Sequence, residues 1–252
     1  MLVILKSFFF GLSLVLAFVL GNFLLWKRTK AKDISSETVF DLSLVSLICG
    51  LISGRLFYIL ANWQVFQIDI FRWIHIVRYP GFSGKAVMVG FLLTLLYLCR
   101  KRKIDPWLFL DCLVVPFIYA LALGQLGCLI NGCVVGTMTK FHFRHPLGLY
   151  AIIGTLILML VVKKLETYLP QIISRFHKEK KWEVRPEGLL FIFVLGLYSV
   201  IDFVLELFRE NALYLENVKL GLVFDLLLLF FGFLLLFIRL GNNFVKKNYD
   251  KV

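Results

Sequence analysis

Six ionisable side chains, Arg55, Lys85, Asp111, Asp202, Glu206 and Asp225, interrupt stretches of the chain that are otherwise apolar. In hydrocarbon such groups are expensive, so they face a protein interior or a wet cavity and pair with one another. Asp202, Glu206 and Arg209 are spaced i, i+4, i+7 and therefore form one polar stripe on a helix. Two chemistries fit this set. One is structural ion pairing, which holds helices in register. The other is a charged pocket in which Arg55, Lys85, Asn131, His145 and Arg209 receive an anionic lipid headgroup. A second unusual stretch runs from Gly124 to Tyr150, GQLGCLINGCVVGTMTKFHFRHPLGLY, with Gly124, Gly127, Gly132 and Gly136 in its first half. Backbone this rich in glycine is tolerated at membrane depth only where it is buried in protein or lines a cavity. The segment is therefore the place to expect a site. The five cysteines are scattered, and only Cys128 and Cys133 share this segment. They are read as small packing residues, or as an outward-facing disulfide. A metal site would need more ligands than their spacing with His142 and His145 supplies.

The elements that position these residues follow from composition. A chain of 252 residues that is 60% hydrophobic and carries 26 Phe is a polytopic membrane protein rather than a soluble domain. Windows of about 19 residues pick out seven spans, near 7–25, 40–60, 84–99, 107–125, 147–162, 187–208 and 220–238. The net charge of +12 is carried by Lys and Arg at the ends of these spans, which speaks for topology and against nucleic-acid binding. With seven spans, 19 cations fall on one side and seven on the other. The amino terminus and the segments 61–83, 126–146 and 209–219 are accordingly expected outside, and the carboxyl terminus in the cytoplasm. The first span is expected to be an anchor rather than a cleaved signal, because its core is long and runs into WKRTKAK with no small-x-small site. Residues 163–186 form a basic, amphipathic cytoplasmic loop broken by Pro170, suited to an anionic membrane surface. No internal repeat is present, so the whole chain, 1–252, is expected to be one integral membrane domain.

Several motifs carry a resemblance. Gly124 to Gly136, GQLGCLINGCVVG, resembles the signature of prolipoprotein diacylglyceryl transferase, Gly-Arg-x-Gly-(Asn or Cys)-x-x-Asn-x-(Glu or Cys)-x-x-Gly. In the same order, Ser53 to Tyr58 resembles the family's Gly-Ala-Arg-Leu-x-Tyr and His145 to Tyr150 its His-Pro-x-Gln-Leu-Tyr. Gly196 to Arg209 resembles its Gly-x-x-Arg-Phe-x-x-Glu-x-x-Arg helix. The resemblance implies seven spans with an external amino terminus and a multi-pass location in a bacterial plasma membrane. It implies an enzyme that moves diacylglyceryl from phosphatidylglycerol to the lipobox cysteine of lipoprotein precursors, without cofactor or metal. Partners would be those two substrates and membrane lipid.

Carried over residue by residue, the resemblance puts Lys85, Asn131, His145 and Glu206 in catalytic positions. Arg55, Gln125, Gly136, Tyr150, Asp202 and Arg209 fall in substrate-binding ones. Four positions depart from the family pattern: Lys85 stands at its histidine, Gln125 at the signature arginine, Asp202 at another arginine and Phe10 at a tyrosine. Losing one arginine fork and reversing the charge at the other changes the phosphate pocket. The function expected is that of a divergent transferase in which Lys85 and Arg55 hold the phosphate or Lys85 replaces the histidine as base; the alternatives are a non-catalytic relative that binds lipid or precursor, and a protein of the same fold with another transfer or transport role. Lys85 and Asp202 look coupled and are expected within ion-pair reach. A tight pair favours the non-catalytic relative, because it weakens Lys85 both as an anchor and as a base.

Overall fold

The computed structural model describes residues 2–76, 78–139, 142–176, 187–210, 212–215 and 218–249. Among these, seven long helices carry the chain: α1 (Leu2–Lys30), α2 (Ser36–Ala61), α5 (Gly84–Lys101), α6 (Pro106–Asn131), α7 (Leu147–Phe176), α8 (Leu189–Leu207) and α9 (Leu220–Tyr249). Two short helices, α3 (Trp63–Phe66) and α4 (Ile70–Ile74), fold the link between α2 and α5, and an antiparallel hairpin of β1 (Tyr214–Leu215) and β2 (Val218–Lys219) joins α8 to α9. The protein is an all-α polytopic membrane protein. Six of the long helices are long and apolar enough to cross a bilayer. The exception is α5, whose 18 residues include Lys85, Arg100 and Lys101.

Local signals set the helix starts. Ser35, Ser83 and Asp105 are side-chain N-caps of α2, α5 and α6, accepting from the backbone N–H of Thr38, Ala86 and Trp107, and Pro106 follows Asp105 at the first helical position. The start of α8 is capped from another helix: both carboxylate oxygens of Asp111 on α6 accept backbone N–H groups at 2.9 Å, from Gly188 and Phe191. That cap is the structural role of one of the intramembrane ions.

Three expectations need correction. The glycine-rich segment is not a loop from Gly124; α6 runs on to Asn131, and only from Gly132, with φ +73°, does the chain leave the helix. The reason lies in packing, since a Cβ on Gly127 would stand 1.8 Å from the Ser13 hydroxyl of α1. This glycine is what lets α1 and α6 touch, and it unwinds nothing. Nor does Pro170 break the basic segment. The backbone of α7 continues through it to Phe176, because a proline removes one i→i−4 bond and can bend a helix without ending it. The remainder of that expected loop, 177–186, lies outside the described residues. Finally, the helices outrun the expected spans at most ends, as capped helices project beyond the apolar window that reveals them.

The intimate helix pairs are α1 with α6, α2 with α5 and α8 with α9. In the second pair a Gly50-x-x-x-Gly54 face meets Gly90: added Cβ atoms would come within 2.8 Å of the Val87 carbonyl, 2.3 Å of the Val87 side chain and 2.3 Å of the Ser53 hydroxyl. Lipid supplies no hydrophobic drive between helices, so close backbone approach of this kind is what holds them. One end of the bundle is tied by Arg28–Glu166 and Arg102–Asp41, both at 2.8 Å. The opposite end gathers the starts of α5, α7 and α9 and the ends of α2, α6 and α8, and there the remaining polar groups meet.

Candidate functional site

Three helices each deliver acid or base to one point. The cap at Ser83 starts α5 so that Lys85 falls in its first turn. Along α8, Asp202 and Glu206 are one turn apart, and along α9 so are Gly221 and Asp225. The Lys85 ammonium lies 2.5 Å from Asp225 Oδ2, 3.0 Å from Asp202 Oδ2 and 3.7 Å from Glu206 Oε2, and it donates to the Gly221 carbonyl at 2.9 Å. The ion pair expected between Lys85 and Asp202 is therefore present, within a larger cluster. Its members are well sequestered: the side chains of Asp225, Glu206, Lys85 and Asp202 are 0%, 4%, 16% and 23% exposed. Gly221 makes the junction possible, since a Cβ there would sit 2.2 Å from Glu206 Oε1.

Arg209 adds a second cation, 3.3 Å from Glu206 Oε2, and the Lys219 ammonium lies beside it, 2.8 Å from the Arg209 carbonyl. One carboxylate oxygen, Asp225 Oδ1, is buried without a hydrogen-bond partner.

Beside the cluster, the chain after α6 runs antiparallel to the segment after α8. Gly136 bridges Arg209, Thr137 N–H donates to the Phe208 carbonyl at 2.8 Å and Glu210 N–H to the Val135 carbonyl at 2.9 Å. Gly136 is fixed in type by this fold, because a Cβ would stand 2.2 Å from the His145 carbonyl. The His145 ring packs 4.9 Å from Phe208 and 6.2 Å from half-exposed Tyr150. Lys219 on β2 donates to the carbonyls of Glu206, Leu207 and Arg209, satisfying the last carbonyls of α8 and fixing the frame of Glu206 and Arg209.

The other sequence candidates divide. Gln125 on α6 accepts from the Thr155 hydroxyl of α7, and with Tyr198 and Asp202 it lines a narrow crevice with room for about one water. Asn131 ends α6 next to Cys133 and contacts its thiol. Phe10 lies on α1 near the Gly127 crossing, where its ring would be 3.4 Å from an added Cβ. Arg55 stands apart. It is 7% exposed and spends its guanidinium on the carbonyls of Trp73, Gly81 and Arg72 at 3.1, 2.9 and 3.1 Å, between the Phe66 and Phe82 rings. It clamps the α2–α5 link and does not reach the cluster.

Two participants were not assigned to the site from sequence. Asp225 stood out as an ion in an apolar helix, but nothing in its spacing pointed to Lys85, which lies 140 residues earlier. Lys219 registered only as a topological charge.

Comparison with known proteins agrees with this frame. The family model for prolipoprotein diacylglyceryl transferase matches residues 3–238. Proteins named phosphatidylglycerol–prolipoprotein diacylglyceryl transferase from Clostridium novyi (strain NT) and Finegoldia magna are 22% and 21% identical over 245 and 234 residues, covering 90% of this chain in each case and 89% and 88% of the relatives. The protein of that name from Campylobacter jejuni (strain RM1221) is 27% identical over 191 residues, 72% of this chain and 64% of the relative. With its helices, its glycine contacts and the segments around Arg209 now described, the chain belongs to the prolipoprotein diacylglyceryl transferase family.

Proposed function

We propose that this protein is a non-transferring member of its family, a seven-span protein of the bacterial plasma membrane. On this reading it binds phosphatidylglycerol or a lipoprotein precursor at its outward end and leaves the diacylglyceryl group in place. One observation carries the reading: Lys85, at the position of the family's histidine, is held by Asp225, Asp202 and Glu206 at 2.5–3.7 Å. A lysine so enclosed has its ammonium donors taken up by the carboxylates and by the Gly221 carbonyl, which leaves none to anchor a phosphate. Gln125 and Arg55 do not compensate, the first being neutral and hydrogen-bonded to Thr155, the second committed to three carbonyls. The orientation rests on the 19-to-seven division of cations between the two faces.

A second reading, transfer by a relocated site, is favoured by one feature. Arg209 is one-third exposed, pairs with Glu206 and lies in the strand-like segment beside His145. The two readings separate in one assay. Membranes containing the protein are expected to crosslink a photoactivatable phosphatidylglycerol while leaving a lipobox peptide unmodified by labelled diacylglyceryl. Transfer above the level of empty membranes, or growth of a cell depleted of its own transferase, establishes the second reading instead.

A further inference from the structure

The last turn of α6 closes in a particular way. Gly132 takes the left-handed conformation, φ +73° and ψ 35°, and the N–H groups of Gly132 and Cys133 both donate to the Cys128 carbonyl, at 2.8 and 3.1 Å. The second of these is the 6→1 bond of a Schellman motif, a geometry that brings the side chain just past the left-handed residue onto the one three positions before the helix cap. Here those two side chains are Cys133 and Cys128, both half-buried thiols, and they hydrogen-bond to each other. The contact that usually joins two apolar residues joins two sulfurs. We propose that Cys128 and Cys133 are a redox pair that closes to an intramolecular disulfide across the end of α6.

The chemistry balances with a disulfide as oxidant, whether a small-molecule disulfide or a thiol oxidoreductase. Cys133 as thiolate attacks one oxidant sulfur, releasing the first oxidant thiol and forming a mixed disulfide. Cys128, losing its proton, then attacks the Cys133 sulfur and releases the second oxidant thiol. Two protein thiols become one S–S bond, and the oxidant gains two electrons. Cys133 is fitted to the first step: the hydrogen bond from Cys128 is the main influence that lowers its thiol from 9.0 to about 7, with Asn131 adding and burial opposing. Closure ties Gly132 in place and so fixes the lead into the Gly136–Arg209 bridge. Oxidation in the cell rests on the outward placement of this end proposed above, since the cytosol keeps thiols reduced.

The test uses the full chain in its native membranes, treated with oxidised glutathione, acid-quenched, alkylated with a maleimide and mapped by peptide mass. The peptide spanning 128–133 is expected to lose two hydrogens and take no label, and dithiothreitol is expected to restore two labels. Cys128→Ser is expected to trap glutathione on Cys133, whereas Cys133→Ser leaves Cys128 largely unreacted. Two labels at every oxidant concentration, or equal glutathione trapping in the two variants, overturns the pair. A separate arm applies a membrane-impermeant maleimide to intact, reduced cells. Labelling of Cys133 is expected; labelling only after permeabilisation overturns oxidation in the cell together with the outward placement, and leaves the thiol chemistry judged by the first arm.

Discussion

Lys85 is the residue on which most of the buried charge depends. Replacing it with methionine leaves Asp202, Glu206 and Asp225 facing one another, and breaking a buried pair in this way costs about 3–5 kcal/mol. Asp225→Asn leaves Asp202 and Glu206 beside Lys85, so it is expected to be the milder change. Thermal unfolding of the detergent-solubilised protein checks this order, and equal losses would show that Asp202 and Glu206 do not stand in for Asp225 as partners of Lys85. A double-mutant cycle on Lys85→Ala and Asp202→Ala is expected to show a coupling of about 0.5–3 kcal/mol in folded yield, as for directly paired groups. Cys133 adds a pH signature. With its thiol lowered to about 7, alkylation should rise through neutral pH rather than near 9.0. Removing the Cys128 donor takes away the main stabiliser of the thiolate, so in Cys128→Ala the midpoint should move upward and the rate at pH 7 should fall. Rates of maleimide reaction at Cys133 across pH measure both. The charge reversal at Asp202 was legible in the sequence because Lys85 changes in the complementary sense. The third carboxylate was not, because a helix period reports which face a residue is on and says nothing about the helix it will meet.

At the scale of elements, the glycines separate into those that touch and those that do not. Gly124 has open space where a Cβ would go, so Gly124→Ala should be neutral or stabilise by up to about 1 kcal/mol, the helix-propensity gain. Gly127→Ala meets the Ser13 hydroxyl at 1.8 Å and should lower the folded yield while membrane insertion persists. Size-exclusion profiles of the two variants, expressed side by side, decide the matter, and an inverted order would refute the α1–α6 crossing described above. From sequence these two residues are alike, since composition marks a glycine-rich stretch and only the partner helix tells contact from space. Six of the helices were legible as apolar runs, whereas the cations of α5 break its run; the Asp202–Glu206 pair on α8 was read from its i, i+4 spacing, but Arg209, expected on the same stripe, lies beyond the helix end at Leu207. Their ends were not: α6 continues to Asn131 because Gly132, and none of the earlier glycines, adopts the left-handed turn.

For the whole molecule, the charge bias gives a topology that reporters can read. Fusions after Lys103 are expected to report cytoplasm and fusions within 65–75 the outside, and an external signal after Lys103 would break the seven-span arrangement. The ends themselves differ in kind. One is stitched by solvent-edge ion pairs such as Arg102–Asp41, whose carboxylate is 53% exposed, and the other by the sequestered cluster. Family membership was legible from short motifs spread along the chain. The state of the site was not, because four substituted positions can equally mark a moved centre or a lost one until distances are known.

The separation of Lys85 from its acids also matters to the ribosome. Asp225 emerges 140 residues after Lys85, on the order of ten seconds of synthesis at typical rates. Through that interval α5, the long helix whose cations keep it from being an apolar span, is sheltered by α2 and α6. Its lysine waits without a counter-ion until the final hairpin of α8 and α9 arrives. The cluster thus marks completion: a nascent chain halted before α8 leaves the ammonium without its carboxylates, and one halted before α9 leaves it with Asp202 and Glu206 but without Asp225.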